Sequence, residues 1–368
     1  MPTLLKDQYY NYDSVNQLAL NLQAVDPTFP TTDFINDVMN ETWEELALKA
    51  RMRQITLTLG KYLPPDYEKA LHMIDQLLAN YPTGFSDFSL MYFPDFVEVY
   101  GQAEEHWDLS IAGLERYTPF STAEFAVRPF IIQHEKRMMD HMAVWAKHDN
   151  EHVRRLASEG CRPRLPWGQA LTSFKNDPTP VLGILEQLKA DPSLYVRKSV
   201  ANNLNDISKD HPDLVVKTAQ NWYGNNPRTD WIVKHGCRTL LKKSNHDVLG
   251  IFGFSDADCL EVTDFALDTD VVNDGQDLNF SFQVGAKKTT KVRLEYGVDY
   301  VKANATRNRK IFQIAETTLQ AGEKKFFTKK RSFARVSTRK HYPGTHSITL
   351  IMNGVEQGTL DFDVLSES

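Results

Sequence analysis

The sequence has few cysteines and lacks long apolar runs. Its 368 residues include only Cys161, Cys237 and Cys259, which are too few and too scattered for a disulfide framework or a thiolate metal site. The first residues, MPTLLKDQYYNYD, have no basic stretch followed by an apolar one, which argues against a signal peptide, and the short apolar runs argue against a membrane span. We therefore expect a soluble, cytoplasmic protein.

Common catalytic motifs are also missing. The sequence contains no glycine-rich phosphate loop, no GxSxG nucleophile elbow and no paired CxxC motif. These absences exclude nucleotide hydrolysis by a P-loop, ordinary serine hydrolysis and zinc-finger binding. The remaining composition, with 41% hydrophobic and 24% charged residues, is that of an ordinary globular protein. A chain of this length exceeds the usual size of one hydrophobic core, so we expect two domains.

Residues 1–255 carry the apolar spacing of helices, with helix-start signals at Asp33, Asn150 and Pro212. Within them, three similar segments, VRRLASEGCRPRL, VRKSVANNLNDIS and VKHGCRTLLKKSN, are offset by 43 and 37 residues. An aspartate precedes each segment and could cap its helix. Helix pairs with this period are typical of HEAT-type α-solenoids. The sequence therefore predicts a mainly α protein whose first domain is a right-handed stack of HEAT-like repeats.

One face of the three equivalent helices is polar and charged. In the first helix Leu156, Ala157 and Gly160 are expected to face the core. The other face carries Arg155 and Glu159, then Lys198, Asn202 and Asp206, then His235, Thr239 and Lys242. In a stack of repeats these positions line up on the concave side.

Residues 256–368 alternate apolar and polar side chains, which indicates half-buried strands. The alternation covers Leu278 to Val284, Val292 to Val298, Ile348 to Met352 and Leu360 to Val364. Asn353 and Gly354 predict a type I′ hairpin turn, because both residues accept a positive φ. Short strands over this length predict an immunoglobulin-like β-sandwich, without the Cys and Trp spacing of true immunoglobulin domains.

Basic residues are concentrated in one segment. The net charge is −6, but between Lys287 and Lys340 there are 16 lysines and arginines against four acidic residues, a local balance of 16 − 4 = +12. A solvated strand face is the common fate of such charges. The size of the imbalance favours a phosphate backbone as the counter-ion.

Composition alone leaves two interpretations of the segment from Arg154 to Trp167. Its four arginines, glutamate and tryptophan suit an anionic ligand that carries a flat ring. Equally, Arg155 and Glu159 could form a surface ion pair and Trp167 could fill a gap between repeats. The other tryptophans in apolar helical patterns are expected in the core: Trp43, Trp107, Trp145 and Trp222. Trp231 could be core or ligand platform.

His148 and His152 are four residues apart and could offer a metal two imidazoles on one helix face. No third ligand is evident, so solvated surface is the preferred interpretation. We expect neither a metal nor a cofactor.

Four strings carry a resemblance to a known family: ERYTPFSTAEFAVRPFI, NEHVRRLASEGCRPRLPW, DPSLYVRKSVANNLNDISKDHPD and WIVKHGCRTLLKK. The chain resembles the AlkC branch of the AlkC/AlkD alkylation-repair DNA glycosylases over its whole helical part, and the appended immunoglobulin-like domain is similar to that of many AlkC-type proteins. The Trp and Asp that AlkD uses four residues apart are not carried over, because here only Trp145 and Asp149 have that spacing and they lie at a helix end.

The resemblance implies hydrolysis of the N-glycosidic bond of cationic bases in base excision repair, chiefly 3-methylcytosine and 3-methyladenine and also 1-methyladenine, without a deep base pocket. It implies double-stranded DNA as the partner, and we expect a monomer. A base that already carries positive charge can leave without a general acid, so carboxylates need only stabilise the oxocarbenium-like sugar and position water.

On this basis Glu159 and Asp206 are the predicted catalytic pair, with Glu124 as a further acid and Trp167 against the exposed base. The predicted DNA contacts are Arg155, Arg162, Arg164, Lys198, Lys234, His235 and Arg238. Two alternatives remain: a non-catalytic HEAT-repeat scaffold that binds nucleic acid or an acidic protein, and a metal-dependent hydrolase that uses His148 and His152. A pure phosphate binder would gain nothing from acids in a basic groove.

Overall fold

The computed structural model describes residues 4–79, 81, 88–254, 257–273, 275–334 and 341–365. Helices occupy the described residues up to 254 and strands follow, which confirms the predicted order of a mainly α part and a β part. No helix of this described portion is long and apolar enough to cross a membrane.

The α-helices follow one another with short connections. In chain order they are α1 Leu5–Tyr9, α2 Tyr12–Val25, α3 Thr31–Val38, α4 Leu48–Tyr62, α5 Tyr67–Leu78, α6 Tyr92–Tyr100, α7 Trp107–Tyr117, α8 Arg128–Gln133, α9 Glu135–Trp145, α10 Glu151–Glu159, α11 Thr172–Asn176, α12 Thr179–Leu188, α13 Leu194–Ile207, α14 Pro212–Trp222, α15 Pro227–Gly236, α16 Arg238–Lys242 and α17 His246–Ile251. Two short 3₁₀ turns lie at Trp43–Glu45 and Glu104–His106.

The chain forms two compact units. The first contains Met1–Asp210 and Asn226–Gly236, and the second contains His211–Asn225 and Cys237–Ser368. Helices α14, α16 and α17 therefore belong to the same unit as the strands. The domain boundary after residue 255 stays a prediction.

In the first unit the helices of the three similar segments, α10, α13 and α15, lie side by side in that order. Arg155 of α10 lies 4.5 Å from the ring centroid of Tyr195 of α13, and further along both helices the hydroxyls of Ser158 and Ser199 are 2.6 Å apart. Residues of higher number in α10 thus contact residues of higher number in α13. The two helices are therefore parallel. Leu156 is buried as predicted, together with Ala157 and Gly160.

Two details differ from the sequence prediction. The aspartates are not the N-cap residues of the first two helices: Asn150 and Ser193 occupy those positions, while Asp191 accepts a side-chain hydrogen bond of 2.7 Å from Arg154. In the third segment Asp230 lies inside α15. The third segment forms two helices, because α15 ends at Gly236 and α16 begins after Cys237. His235 consequently lies on α15 of the first unit, whereas Thr239 and Lys242 lie on α16 of the second.

Buried aromatic and sulfur-containing side chains support the helical parts. The predicted core tryptophans Trp43, Trp107, Trp145 and Trp222 are all buried, and burying a side chain of this size contributes several kcal/mol, roughly 25 cal/mol per Å². All three cysteines are buried, and Cys161 and Cys237 are free thiols. Burial raises the pKa of both Cys161 and Cys237 to about 12.

The strands form two sheets. They are β1 Leu260–Leu267, β2 Val271–Val272, β3 Asp277–Ala286, β4 Thr290–Val301, β5 Arg307–Leu319, β6 Lys324–Ser332, β7 Gly344–Met352 and β8 Val355–Val364. The strand orders are β1-β3-β6 and β2-β8-β7-β4-β5, with β2 and β8 parallel and the other pairs antiparallel.

The predicted alternation is confirmed, since the apolar residues of β3, β4, β7 and β8 form one core. Asn353 and Gly354 join β7 to β8 with φ of 45° and 82°, as the predicted type I′ turn requires. The Asn353 side chain accepts from the backbone N–H of Arg293 at 2.7 Å and donates to the Lys291 carbonyl at 3.0 Å. The hairpin turn is thereby fastened to β4.

Candidate active site

Five charged side chains of the first unit form a continuous chain of ion pairs, here called the charged network: Glu124, Arg155, Glu159, Arg162 and Asp206. Arg155 binds Glu124 at 2.9 Å and lies 3.6 Å from Glu159. Arg162 then bridges Glu159 at 2.6 Å and Asp206 at 2.8 Å. The three acids that the sequence predicts, from separate parts of the chain, are thus brought together by two arginines.

The ends of helices position these acids. Glu159 is the last residue of α10, Asp206 lies in the last turn of α13, and Glu124 precedes α8. A carboxylate at a helix C-terminus is disfavoured by the helix dipole. Arg162, three residues beyond Glu159, compensates for both helix ends at once.

The charged network is largely withdrawn from water. The side chains of Glu124, Glu159 and Asp206 are 10%, 6% and 4% exposed, a burial that costs several kcal/mol per charge unless each charge is paired. Burial lowers the pKa of Arg162, but the attraction of Glu159 and Asp206 outweighs this effect and the pKa is raised overall. Arg155 follows the same pattern. Both guanidiniums therefore stay positive.

Two side chains that the sequence analysis missed connect the network with solvent. Lys209 binds Asp206 at 3.0 Å and is 42% exposed. Its position three residues after Asp206, just beyond the end of α13, was an available signal. Tyr195 packs its ring against Arg155. Its role had no signal in the sequence, because the contact joins two helices. The network is therefore buried along its length and partly open at its ends.

The predicted DNA contacts lie in different surroundings. Arg155 and Arg162 bind carboxylates within the network. Arg164 binds Asp210 through two hydrogen bonds, at 3.0 and 2.6 Å, and is 36% exposed. The remaining three predicted side chains of the first unit are on its surface or partly so: Lys198, Lys234 and His235, which stacks on the half-exposed Trp231 at 5.1 Å. Arg238 belongs to the second unit.

Trp167 is exposed and strained. It is 59% exposed and adopts a left-handed backbone with φ of 63°, a conformation that costs roughly 1–2 kcal/mol for a residue with a side chain. Its carbonyl accepts a hydrogen bond from Lys49 at 3.0 Å, and its ring lies 6.0 Å from Phe88. Retained strain of this kind is frequent at functional sites.

The structure brings His148 close to one carboxylate, because its Nε2 lies 3.6 Å from Glu115. His148 Nδ1 accepts a hydrogen bond from the Asn150 backbone N–H at 2.9 Å, which occupies that lone pair. Among the residues that the structure describes, no group of three or more His, Cys, Asp or Glu side chains is arranged to hold a metal ion.

The basic segment from Lys287 to Lys340 is partly neutralised within the second unit. Arg293 is buried and binds Glu295 and Glu316, and Arg309 binds Asp299 and Glu356. Arg335, Arg339 and Lys340 lie outside the described residues. On the edge strands β5 and β6, four lysines have no carboxylate partner among the described residues: Lys310, Lys324, Lys325 and Lys329. The charge of these four side chains is therefore not neutralised by a described carboxylate.

Comparison with known families identifies two parts of the chain. The chain belongs to the DNA alkylation repair enzyme family, whose model matches residues 49–240. A second model, described as the C-terminal Ig-like domain of the uncharacterised protein YhaZ, matches residues 261–366.

Two individual proteins are similar over nearly the whole chain. The "Uncharacterized protein YhaZ" of Bacillus subtilis (strain 168) is 46% identical over 357 residues, which cover 97% of this chain and 98% of that protein. The structure of "Pseudomonas fluorescens alkylpurine DNA glycosylase AlkC bound to DNA containing an abasic site analog" matches with a TM-score of 0.94 and 35% identity, over 99% of this chain and 100% of that chain. The resemblance to AlkC-type proteins is therefore confirmed.

Proposed function

We propose that the protein is a DNA glycosylase that hydrolyses the N-glycosidic bond of cationic alkylated bases, with 3-methylcytosine, 3-methyladenine and 1-methyladenine as substrates. The observation that carries the proposal is the convergence of Glu124, Glu159 and Asp206 in one charged network. Membership of the alkylation repair family and the similarity to an alkylpurine DNA glycosylase support it.

The chemistry requires little beyond negative charge and a water molecule. When the bond from C1′ to the base nitrogen breaks, its electron pair neutralises the positive base, so no acid has to protonate the leaving group. The sugar becomes oxocarbenium-like, and fixed carboxylates stabilise that charge. Water adds its oxygen to C1′ and gives up a proton to a carboxylate, which leaves an abasic site and a neutral free base.

The network assigns complementary roles to its members in this proposal. Glu159 and Asp206 face the developing positive charge and accept the proton from water, while Glu124 adds negative potential. Arg162 holds the two catalytic acids at a fixed separation, a role we assign to it in place of phosphate contact. Preorganised charges of this kind need no rearrangement during the reaction. Arg164, Lys198, Lys234, His235 and Arg238 remain our proposed phosphate contacts.

Trp167 offers the flat surface that an exposed base or its sugar would need. Its ring is accessible, and its backbone carbonyl accepts a hydrogen bond from Lys49. Stacking of a base on an aromatic ring contributes about 1–3 kcal/mol. We propose that the duplex is bent so that the damaged nucleotide reaches this ring, at a deformation cost of about 1–6 kcal/mol.

The proposal is tested by base release from a duplex with one 3-methylcytosine, measured by mass spectrometry of the free base and by alkaline cleavage at the abasic site. Glu159→Gln should slow single-turnover release by about 100-fold or more, since it removes one preorganised charge. Duplex affinity should stay within about 3-fold, because Glu159 contributes no phosphate contact.

Glu151→Gln is the matched control, since Glu151 lies exposed at the start of the same helix. It should release the base at the wild-type rate. If the wild-type protein released no base from any lesion of a methylated panel while still binding the duplex, the non-catalytic scaffold would replace the enzyme.

A further inference from the structure

Arg128 is a buried arginine without a carboxylate partner. It is 1% exposed, and among the described residues it forms no salt bridge. Its guanidinium donates to three backbone carbonyls instead: Nη1 to Gly160 at 2.8 Å, Nη2 to Arg162 at 3.0 Å and Nε to Gln169 at 2.5 Å. Only arginine carries enough donors in one rigid fork for three such acceptors.

The three carbonyls belong to one loop, here called the 160–171 loop, which joins α10 to α11. Gly160 and Arg162 lie at its start and Gln169 near its end, so Arg128 ties its two ends together. Within the loop, Gly168 N donates to Leu165 at 3.1 Å and Leu171 N donates to Pro163 at 3.2 Å. The segment between the ends carries the strained Trp167.

A charge in this position has a cost that hydrogen bonds to neutral groups only partly offset. Burial lowers the pKa of Arg128 to about 10, against the attraction of nearby negative groups that include Glu124 and Asp206. The side chain therefore remains positive at neutral pH. A buried cation that neither pairs directly with an acid nor reaches the surface needs an explanation other than ligand contact.

We propose that Arg128 is a positioning residue that fixes the 160–171 loop, so that Arg162 stays between Glu159 and Asp206 and Trp167 stays exposed in its left-handed conformation. The catalytic consequence rests on the proposed glycosylase function. The structural consequence can be measured without it.

The structural test uses limited proteolysis. Trypsin can cut the loop after Arg164 but not after Arg162, because Pro163 follows Arg162. Arg128→Met should raise the rate of cleavage at Arg164–Leu165 by about 10-fold or more, since the loop then opens locally. Fragments identified by mass spectrometry, at a temperature well below unfolding, give the rate at this bond.

Arg51→Met is the matched control. Arg51 is equally buried in the same unit and also donates to carbonyls, those of Tyr10 and Trp43. It also binds Asp7 and Glu44, and none of these partners belongs to the 160–171 loop. It should leave cleavage at Arg164–Leu165 at the wild-type rate. Arg128→Lys keeps the buried charge but not the fork, so it should show an intermediate rate, and it carries the test if Arg128→Met does not fold.

The catalytic test is single-turnover base release. Arg128→Met should reduce it by about 10-fold, because small misplacements of reacting groups are costly. Duplex affinity should fall by a smaller factor, because Arg164 is one of five proposed phosphate contacts and the other four lie outside the loop. In the double variant, Trp167→Ala should cause little further loss of base release beyond that of Arg128→Met, since both changes remove the Trp167 ring from its exposed position.

Wild-type cleavage at Arg164–Leu165 in both Arg128 variants would overturn the inference, as would an equal increase in Arg51→Met. A wild-type protein that releases no base would remove the proposed function but leave the proteolysis result standing. Faster cleavage at Arg164–Leu165 together with base release at the wild-type rate would show that Arg128 holds the loop. It would also show that a fixed loop is not required for the reaction.

Discussion

Each compact unit contains a buried arginine between two carboxylates. In the helical unit Arg162 binds Glu159 and Asp206, and in the unit with the sandwich Arg293 binds Glu295 and Glu316. The contact lengths are similar, between 2.5 and 2.8 Å. The two arginines are also similarly buried, with side chains 8% and 4% exposed.

Their surroundings differ. The Arg293 group is built on two neighbouring strands, because Glu316 lies directly opposite Arg293 on β5 and Glu295 is two residues along β4. The backbone N–H of Arg293 also donates to the Asn353 side chain in the hairpin turn. The Arg162 group instead joins the ends of two helices and continues through Arg155 and Lys209 towards solvent. This continuation towards solvent is the difference between the two groups, and we propose that it separates a reactive group from a purely structural one.

Breaking the Arg293 group should have the largest effect on free energy of any change predicted here. Arg293→Met leaves Glu295 buried without its cation, and we expect the unfolding free energy of this unit to fall by about 3–5 kcal/mol. Chemical denaturation followed by far-ultraviolet circular dichroism measures the loss. Base release per folded molecule should be unchanged, and a loss of release in fully folded protein would contradict the assignment of this group to structure.

The second prediction compares one acid from each group. Asp206→Asn should slow base release by about 100-fold, or about 2.7 kcal/mol in the activation free energy, because a fixed negative charge near C1′ is lost. Glu316→Gln removes an equivalent partner of Arg293 and should change release by less than about 2-fold, since it acts on stability alone. Equal effects of both changes would erase the distinction between the two groups.

The smallest effect is expected from the unpaired surface lysines. Replacing Lys310, Lys324, Lys325 and Lys329 together by glutamine should weaken duplex binding and flatten its salt dependence by about 0.9 logarithmic units per lost phosphate contact. Arg309→Gln serves as the control, because Arg309 is already bound to Asp299 and Glu356. Point substitutions are preferable to truncation, since α16 and α17 belong to the same compact unit as the strands.

Much of the fold could be predicted from the sequence, and so could the proximity of the three acids, whose catalytic role stays a prediction. Periodicity located the helices and strands, and the Asn353–Gly354 turn followed from backbone preference alone. The acids followed from the family resemblance together with their place on equivalent helices. These signals are local or repeat at a fixed period, so they survive without knowledge of tertiary contacts.

The remaining features depend on contacts between distant parts of the chain. Arg128 stands in an apolar stretch, and only the folded chain shows that its partners lie 32 to 41 residues away. Arg162 was expected at a phosphate because its two carboxylate partners were not known to converge on it. The division of the third helix at Cys237 directly follows Gly236, but a single glycine inside a helical pattern is tolerated too often to predict a break.

The burial of Cys161 and Cys237 affects how these thiols react with methylating agents. Thiols attack electrophiles as thiolates, and with pKa values raised to about 12 the thiols of Cys161 and Cys237 stay protonated at neutral pH. Methylating agents that modify DNA bases would therefore find little to react with at these two positions. These two thiols should therefore be spared during the exposure that makes alkylation repair necessary.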